Sequence, residues 1–212
     1  MKFFSGQNNF FRGFLSFISV LLIAGQSNPE SFYDVRWVDD GDTIVLIDGR
    51  HVRYIGINAP EIRHGGRKAE PNGYEAKRFN KNLVLSRKVR LEFGKERTDQ
   101  YGRLLAYVFL EDNTLVNQEM IENGYAYCLS RKPNDRYDEI FLKAQRRAMS
   151  ARIGIWCQWQ EESCRYVGNR KSRRFHLETC PFGVKISKKN KVFFSGKWEA
   201  FWAGFAPCKK CQ

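Results

Sequence analysis

From Asp34 to Ile57 the sequence alternates β-prone residues with turn signals, and this two-residue period limits the fold more than any other feature. Val35 to Val38, Thr43 to Ile47 and His51 to Ile57 read as strands, the last two joined by Asp48-Gly49, a strong hairpin turn because Gly accepts positive φ. Lys88 to Phe93 and Arg103 to Leu110 alternate again. Apolar residues at Ala76, Phe79 and Leu83 predict a helix over Glu75 to Leu85, and Leu115 to Glu122 and Glu139 to Ser150 predict two more. Five short strands interrupted by helices imply an α+β fold, a closed or nearly closed antiparallel barrel with packed helices. A chain of 212 residues has room for that and something smaller. Its 42% hydrophobic content excludes a wholly disordered chain, and no apolar run reaches the ~20 residues of a spanning helix, which excludes a polytopic membrane protein.

The net charge of +13 is unevenly distributed. Residues 28–162 carry 22 basic and 21 acidic side chains, whereas residues 163–212 carry 12 basic and two acidic ones. A near-neutral body and a cationic tail point to two units with different jobs, the tail suited to a polyanion. At the front, Lys2 and Arg12 precede the apolar stretch Phe14–Ala24, and Gly25-Gln26-Ser27 offers a small-residue exit. Those parts predict a signal peptide over 1–27 and a secreted or periplasmic protein, with an uncleaved anchor as the alternative.

Three clusters in the body carry chemistry. Asp39-Asp40-Gly41-Asp42-Thr43 sets three carboxylates within four residues at a strand start, which repel unless a cation or basic groups sit among them. Taken alone, it also reads as a solvated acidic turn. In Arg53 to Glu61 an Arg alternates with apolar residues on a strand that runs into a Pro-fixed turn ending in a carboxylate. Asp99-Gln100-Tyr101-Gly102-Arg103 is a polar turn whose Arg opens a hydrophobic strand. Each Arg has a plain use in a structural salt bridge. Two Args and a carboxylate beside an acidic turn are also what hydrolysis of a phosphodiester requires.

Taken in order, Asp40-Gly41-Asp42-Thr43, Arg53…Ala59-Pro60-Glu61 and Asp99 to Tyr107, followed by Val116-Asn117 and Gly154-Ile155-Trp156, resemble the staphylococcal nuclease (thermonuclease) family over about residues 34–157. The resemblance implies an OB-fold five-stranded barrel over residues 28–160 and calcium-dependent cleavage of DNA and RNA at the 5′ P–O bond. By position it makes Asp42 and the Thr43 carbonyl calcium ligands, an all-oxygen set that suits the ion. It makes Glu61 the general base, Arg53 and Arg103 the clamps on the scissile phosphate, Asp40 a supporting acid, and Asp99 and Tyr101 neighbours of the nucleotide's other phosphate. Two departures stand out. Asn58 occupies the place of a second metal-ligating Asp, so calcium is expected to bind more weakly or another ion to be used. Around Tyr127–Pro133, Leu129 and Arg131 fall where the family has two nucleotide-packing tyrosines. Base contacts are then looser or come from Tyr125 or Tyr127, for which a core role is the alternative.

In the tail, His176-x3-Cys180 and Cys208-Lys209-Lys210-Cys211 form two ligand pairs separated by 27 residues, a Cys3His pattern suited to zinc. Disulfides, which export encourages, are the competing use, but pairs spanning a single turn favour a metal. Cys128, Cys157 and Cys164 stand outside the set; a Cys157–Cys164 link is one option and leaves one thiol over. Residues 164–212, through Asn190–Phe194, Glu199-Ala200 and Ala203–Cys211, resemble the metal-binding domain of the Ada DNA-repair family. His176 replaces the first Cys of that pattern, so alkyl transfer is not carried over. Arg170-Lys171, Arg173-Arg174, Lys188-Lys189, Lys191 and Lys209-Lys210, interleaved with Phe175, Phe193, Phe194, Trp198, Phe201 and Trp202, are suited to backbone phosphates and, through exposed aromatics, to stacked bases, with a place in the small core as the alternative use of those rings.

The expectation is a secreted, calcium-dependent, monomeric nuclease of DNA and/or RNA with a tethered zinc module that aids binding. The alternatives are a nucleic-acid-binding protein with a degenerate barrel and, more weakly, an Ada-like repair factor. Retention of Asp42, Arg53, Glu61 and Arg103 favours the enzyme, since a binding module has no use for a base, a metal acid and two clamps together.

Overall fold

The computed structural model describes residues 1–3, 31–63, 65, 66, 68–160, 162 and 164–211. The signal segment expected over 1–27 lies outside them apart from its first three positions. Among the described residues no helix is long and apolar enough to cross a membrane.

The hairpin turn behaves as its sequence requires. Gly49 sits at φ +86°, and its N–H donates to the Leu46 carbonyl at 2.9 Å. It joins β2 (Thr43–Leu46) to β3 (His51–Tyr54), and β1 (Phe32–Asp40) flanks β2. After β4 (Gly56–Asn58) and helix α1 (Gly73–Val84) come β5 (Lys88–Thr98) and β6 (Leu104–Leu110). Helix α2 (Val116–Glu122), β7 (Tyr127–Leu129) and helix α3 (Asp138–Ala151) follow. The strands close a barrel in the order β1-β2-β3-β6-β5, with Phe32 opposite Arg90 at the β1–β5 seam. The expectation of a wholly antiparallel barrel needs correction, because β3 and β6 run parallel, with Val52 opposite Leu104. A ring of five strands cannot alternate direction throughout, so at least one neighbouring pair must be parallel.

A second correction concerns the strand expected from His51 to Ile57. It breaks at Ile55, just ahead of Gly56, which takes φ +80° and lies where a Cβ would sit 2.6 Å from the Phe141 ring. Only glycine satisfies both demands. Beyond the break the chain leaves the barrel, and β4 pairs with β7, setting Asn58 opposite Tyr127. Buried Asn117 fixes the departure, accepting from the Val108 N–H at 2.9 Å and donating to the Ile55 carbonyl at 2.8 Å.

Ile44, Val52, Val89 and Val108 fill the barrel and continue into Met120 and Ile121 of α2. A second core lies on α3. The tail adds β8 (Tyr166–Asn169), β9 (Arg174–Leu177), the short helix α4 (Pro181–Val184), β10 (Lys191–Phe194), helix α5 (Lys197–Trp202) and β11 (Ala206–Pro207). Its sheet runs β10-β8-β9-β11. Tyr166, Phe175, Phe194, Phe201 and Phe205 from the tail pack with Tyr127, Ala148, Met149 and Trp156 from the barrel side. Fully buried Gln145 of α3 joins the two in polar terms as well: it accepts from the Cys128 N–H and donates to the Phe201 carbonyl, each at 2.6 Å. Residues 31–212 therefore form one compact unit, and the boundary expected near residue 160 runs beside a shared core.

Candidate active site

The acidic turn is assembled by close backbone approach. A Cβ on Gly41 would lie 2.4 Å from the Cβ of Ala59 and 2.8 Å from that of Ala76, so the turn presses against both the segment after β4 and helix α1. That contact buries Asp42 to 5% exposure. One Asp42 oxygen accepts the Ala59 N–H at 2.8 Å and pairs with the Arg53 guanidinium at 2.9 Å; the other accepts the Thr43 hydroxyl at 3.2 Å. Burial pushes its pKa up to about 7; Arg53 opposes the rise, Asp40 adds to it, the Ala59 N–H opposes it and Glu61 adds to it. Asp40 accepts the Asp42 N–H at 2.9 Å and so shapes the turn.

Arg53 reaches this turn because Thr43 stands opposite it on the β2–β3 ladder. Its guanidinium also donates to the Tyr54 carbonyl at 2.6 Å and to Asn58 Oδ1 at 3.1 Å. The Asn58 amide in turn donates to the Ala59 carbonyl and the Tyr127 hydroxyl, both at 3.1 Å. Asn58 thus sits beside the expected metal acid while its oxygen braces Arg53. Glu61 follows three residues later, its N–H held by Glu70 at 3.0 Å. Its carboxyl is raised above the ordinary range first by burial, then by Asp40 and Glu70, and is drawn down by Arg53 and by Lys209 from the tail.

Arg103 immediately precedes β6. β6 opens beside β3, with Leu104 opposite Val52 and Leu105 opposite Arg53 on the parallel ladder, so Arg103 enters the strand next to the one that carries Arg53. Its Nε and terminal nitrogen meet Asp99 at 2.8 and 2.7 Å. Asp99 also accepts the N–H groups of Tyr101 and Arg103, at 2.9 and 3.0 Å. Burial raises the Asp99 pKa, but these bonds outweigh it and leave the carboxylate below its ordinary value. The Tyr101 ring is 72% exposed beside the Arg103 guanidinium, 5.6 Å away. A buried acid, a raised carboxyl and two carboxylate-braced guanidiniums form an arrangement able to bind an anion and accept a proton beside it.

Tyr125 and Tyr127 serve packing. Tyr125 stacks on Phe79 at 4.5 Å, and Tyr127 lies edge-on to Phe201 at 5.2 Å within the second core. Leu129 packs against that core, while Arg131 closes a turn by bridging to Asn134.

In the tail, the ligand atoms of His176, Cys180, Cys208 and Cys211 all lie within 4.8 Å of one another. The edges of a tetrahedron around zinc bound by sulfur at ~2.3 Å are about 3.8 Å, so the cluster is close to ligating size. The parallel pairing of β9 and β11 builds it: Pro207 stands opposite Phe175, and the Cys208 N–H donates to the Phe175 carbonyl at 2.9 Å. Burial and the nearby Arg174 lower the His176 pKa, favouring the neutral imidazole that a metal needs. Cys128 is buried in the barrel core, and Cys157 and Cys164, like the others, are free thiols.

Sequence reasoning missed Asn80 and Glu70; it read Arg174 and Lys209 as phosphate-binding residues of the tail but did not set them beside Arg53 and Glu61. Buried Asn80 accepts from the Tyr54 hydroxyl at 2.8 Å and donates to the Asp40 carbonyl at 3.1 Å, tying α1 to the acidic turn. An Asn midway between Ala76 and Val84 on the buried stripe was the readable signal. For Glu70 no local pattern exists.

Residues 51–158, about half of the chain, match the family of staphylococcal nuclease homologues. The thermonuclease of Staphylococcus hyicus is 39% identical over 137 residues, covering 63% of this chain and 80% of that one. The thermonuclease of Staphylococcus intermedius is 38% identical over 127 residues, covering 58% and 75%. Endonuclease YncB of Bacillus subtilis is 37% identical over 139 residues, covering 62% of each chain. Together with a barrel bearing this site, these matches define a nuclease, a hydrolase of phosphodiester bonds. The chain belongs to the staphylococcal nuclease family.

Proposed function

We propose that this protein is an exported, calcium-dependent nuclease of DNA and/or RNA that acts as a single chain and carries a structural zinc site in its tail. The observation that carries the reading is the gathering of buried Asp42, half-buried Arg53 and exposed Glu61 at one corner of the barrel, with Arg103 just before the adjoining strand β6.

Arg53 and Arg103 grip the scissile phosphate. Their carboxylate partners, Asp42 and Asp99, hold the guanidiniums in place before substrate arrives, so little ordering remains at the transition state. Glu61 takes the proton of the attacking water while the water oxygen bonds to phosphorus and the 5′ P–O bond breaks. Its raised pKa makes it a better base than an ordinary carboxylate.

The crowding of Asp40, Asp42 and Glu61 against one nearby Arg53 fits a hard cation, since added positive charge relieves the burden that holds Asp42 up. Asp42 and the Thr43 carbonyl would hold it, with Asp40 in support and Asn58 contributing an oxygen but no charge. Calcium there supplies electrostatic stabilisation of the charge that builds on phosphate. In the tail, His176, Cys180, Cys208 and Cys211 hold zinc in a module of the Ada kind, and the surrounding basic residues add affinity for the polynucleotide. The charged, apolar and small-residue order of the first 27 residues supports export.

Plasmid nicking tests the reading. Calcium should stimulate cleavage, a calcium-selective chelator should abolish it, and Glu61→Gln should lower it by about 10²- to 10⁴-fold. Plasmid binding without cutting under every condition would return the binding-protein reading. Full activity in Glu61→Gln would remove the proposed base. Metal analysis of the purified chain should give zinc that Cys180→Ser loses.

A further inference from the structure

Lys209 and Arg174 come from the tail, yet a continuous set of neighbouring strands leads to them from the catalytic corner. Asn58 stands opposite Tyr127 on the β4–β7 ladder, and its amide donates to the Tyr127 hydroxyl at 3.1 Å. β7 packs against β11, and β11 pairs with β9, which carries Arg174 opposite Ala206. The chain then enters Cys208-Lys209-Lys210-Cys211, the knuckle of the metal cluster, whose Cys211 N–H donates to the Cys208 carbonyl at 2.8 Å. Exposed Lys209 comes near enough to Glu61 for its charge to act on that carboxyl. Arg174 lies within the field of Arg53 and Arg131, both of which oppose its charge. Cations gathered against mutual repulsion beside the base form a place for an anion.

We propose that Lys209, presented by the metal knuckle, binds a phosphate of the polynucleotide next to the scissile one, so that the tail is a wall of the active site. The proposal rests on the nuclease site described above and deepens it: the tail holds the substrate in register as well as raising its local concentration. The metal cluster then has a direct bearing on catalysis, because it fixes the two-residue loop on which Lys209 sits.

The test is steady-state cleavage of a single-stranded DNA oligonucleotide at several salt concentrations, using the full chain with calcium. Lys209→Ala is compared with Lys185→Ala, which removes the same charge from another exposed position of the tail. Lys209→Ala should raise KM about tenfold with kcat nearly unchanged, and should reduce the slope of log(1/KM) against log salt by about 0.7, one single-strand phosphate contact. Lys185→Ala should change KM by less than about twofold. Equal effects from the two variants mean diffuse attraction and overturn the proposal. A loss confined to kcat means that Lys209 acts only through Glu61, and also overturns it. Zinc content equal to that of the unaltered chain excludes collapse of the knuckle as the cause. Glu61→Gln, run in parallel, separates the two readings: if it cuts normally the nuclease site itself is wrong, and if it fails while Lys209→Ala matches Lys185→Ala, only the phosphate subsite is.

Discussion

Asp42 carries the sharpest conflict between folding and function. Its folded pKa, about 7, exceeds the value near 3.8 that it has when exposed. The native state therefore keeps a proton that the unfolded state gives up, and this residue's contribution to stability falls as pH rises from about 4 to about 7. Below that window the penalty is absent; above it, it is complete, on the order of 4 kcal/mol. Asp42→Asn should remove the pH dependence, so its melting temperature should gain on the unaltered chain between pH 5 and pH 7.5 in the absence of calcium. A gap that stays constant over this range would mean that Asp42 is not the group responsible. Asn58 poses the companion question. Asn58→Asp adds a negative charge beside Asp42, and the calcium concentration for half-maximal cleavage should fall about tenfold. An unchanged calcium titration would confine residue 58 to bracing Arg53. Asp42, Arg53 and Glu61 were legible in the sequence because they fall in clusters of charge at turns and strand ends, and Asn58 through the family resemblance alone; the structure gathers the four. What the sequence concealed was their pairing. No spacing rule says that the Asn58 oxygen will face Arg53, since the two meet across the turn at Ile55 that separates β3 from β4.

At the scale of elements, the strands and helices were readable from periodicity, and the β2–β3 hairpin from Asp48-Gly49 alone. Partners across the barrel were not, since alternation records which side of a strand is buried but not what covers it. Hence β4 looked like an extension of β3, although it belongs to a ladder with β7. The same limit hid Gln145, which lies on the buried face of α3 among Phe141, Ala144 and Ala148, where an apolar residue is the ordinary choice. Its amide supplies partners to the backbones of β7 and α5 together. Gln145→Leu keeps the bulk and removes both bonds, leaving the buried Cys128 N–H without this acceptor at about 1–3 kcal/mol, while the Phe201 carbonyl keeps the Gly204 N–H at 2.8 Å. Denaturant unfolding should show a loss of about 1.5–4 kcal/mol. A loss below 1 kcal/mol would mean that other groups move in to take up the bonds.

At the scale of the whole molecule, the division of charge and the division of packing do not coincide. The near-neutral barrel and the cationic tail looked like separable pieces in the sequence, because charge is read along the chain and a shared core is not. Trp156 is fully buried, and its ring meets Phe201 at 5.1 Å and Trp198 at 5.9 Å, both from the tail. The guanidinium of Arg152, at the end of α3, lies 4.2 Å from the Trp198 ring centre. Ending the chain after residue 160 would uncover Tyr127, Met149 and Trp156 together, and burying each such side chain contributes about 1.5–3 kcal/mol. A barrel cut there should lose about 4–9 kcal/mol, much of the stability of an ordinary domain, and should expose an apolar patch prone to association. The full chain should instead melt in one calorimetric transition, and if the tail holds the proposed zinc, a chelator should lower the temperature at which the barrel's own signal is lost. Two separate transitions, or a truncated barrel as stable as the whole, would restore the tethered arrangement and leave Lys209 with no fixed place beside Glu61.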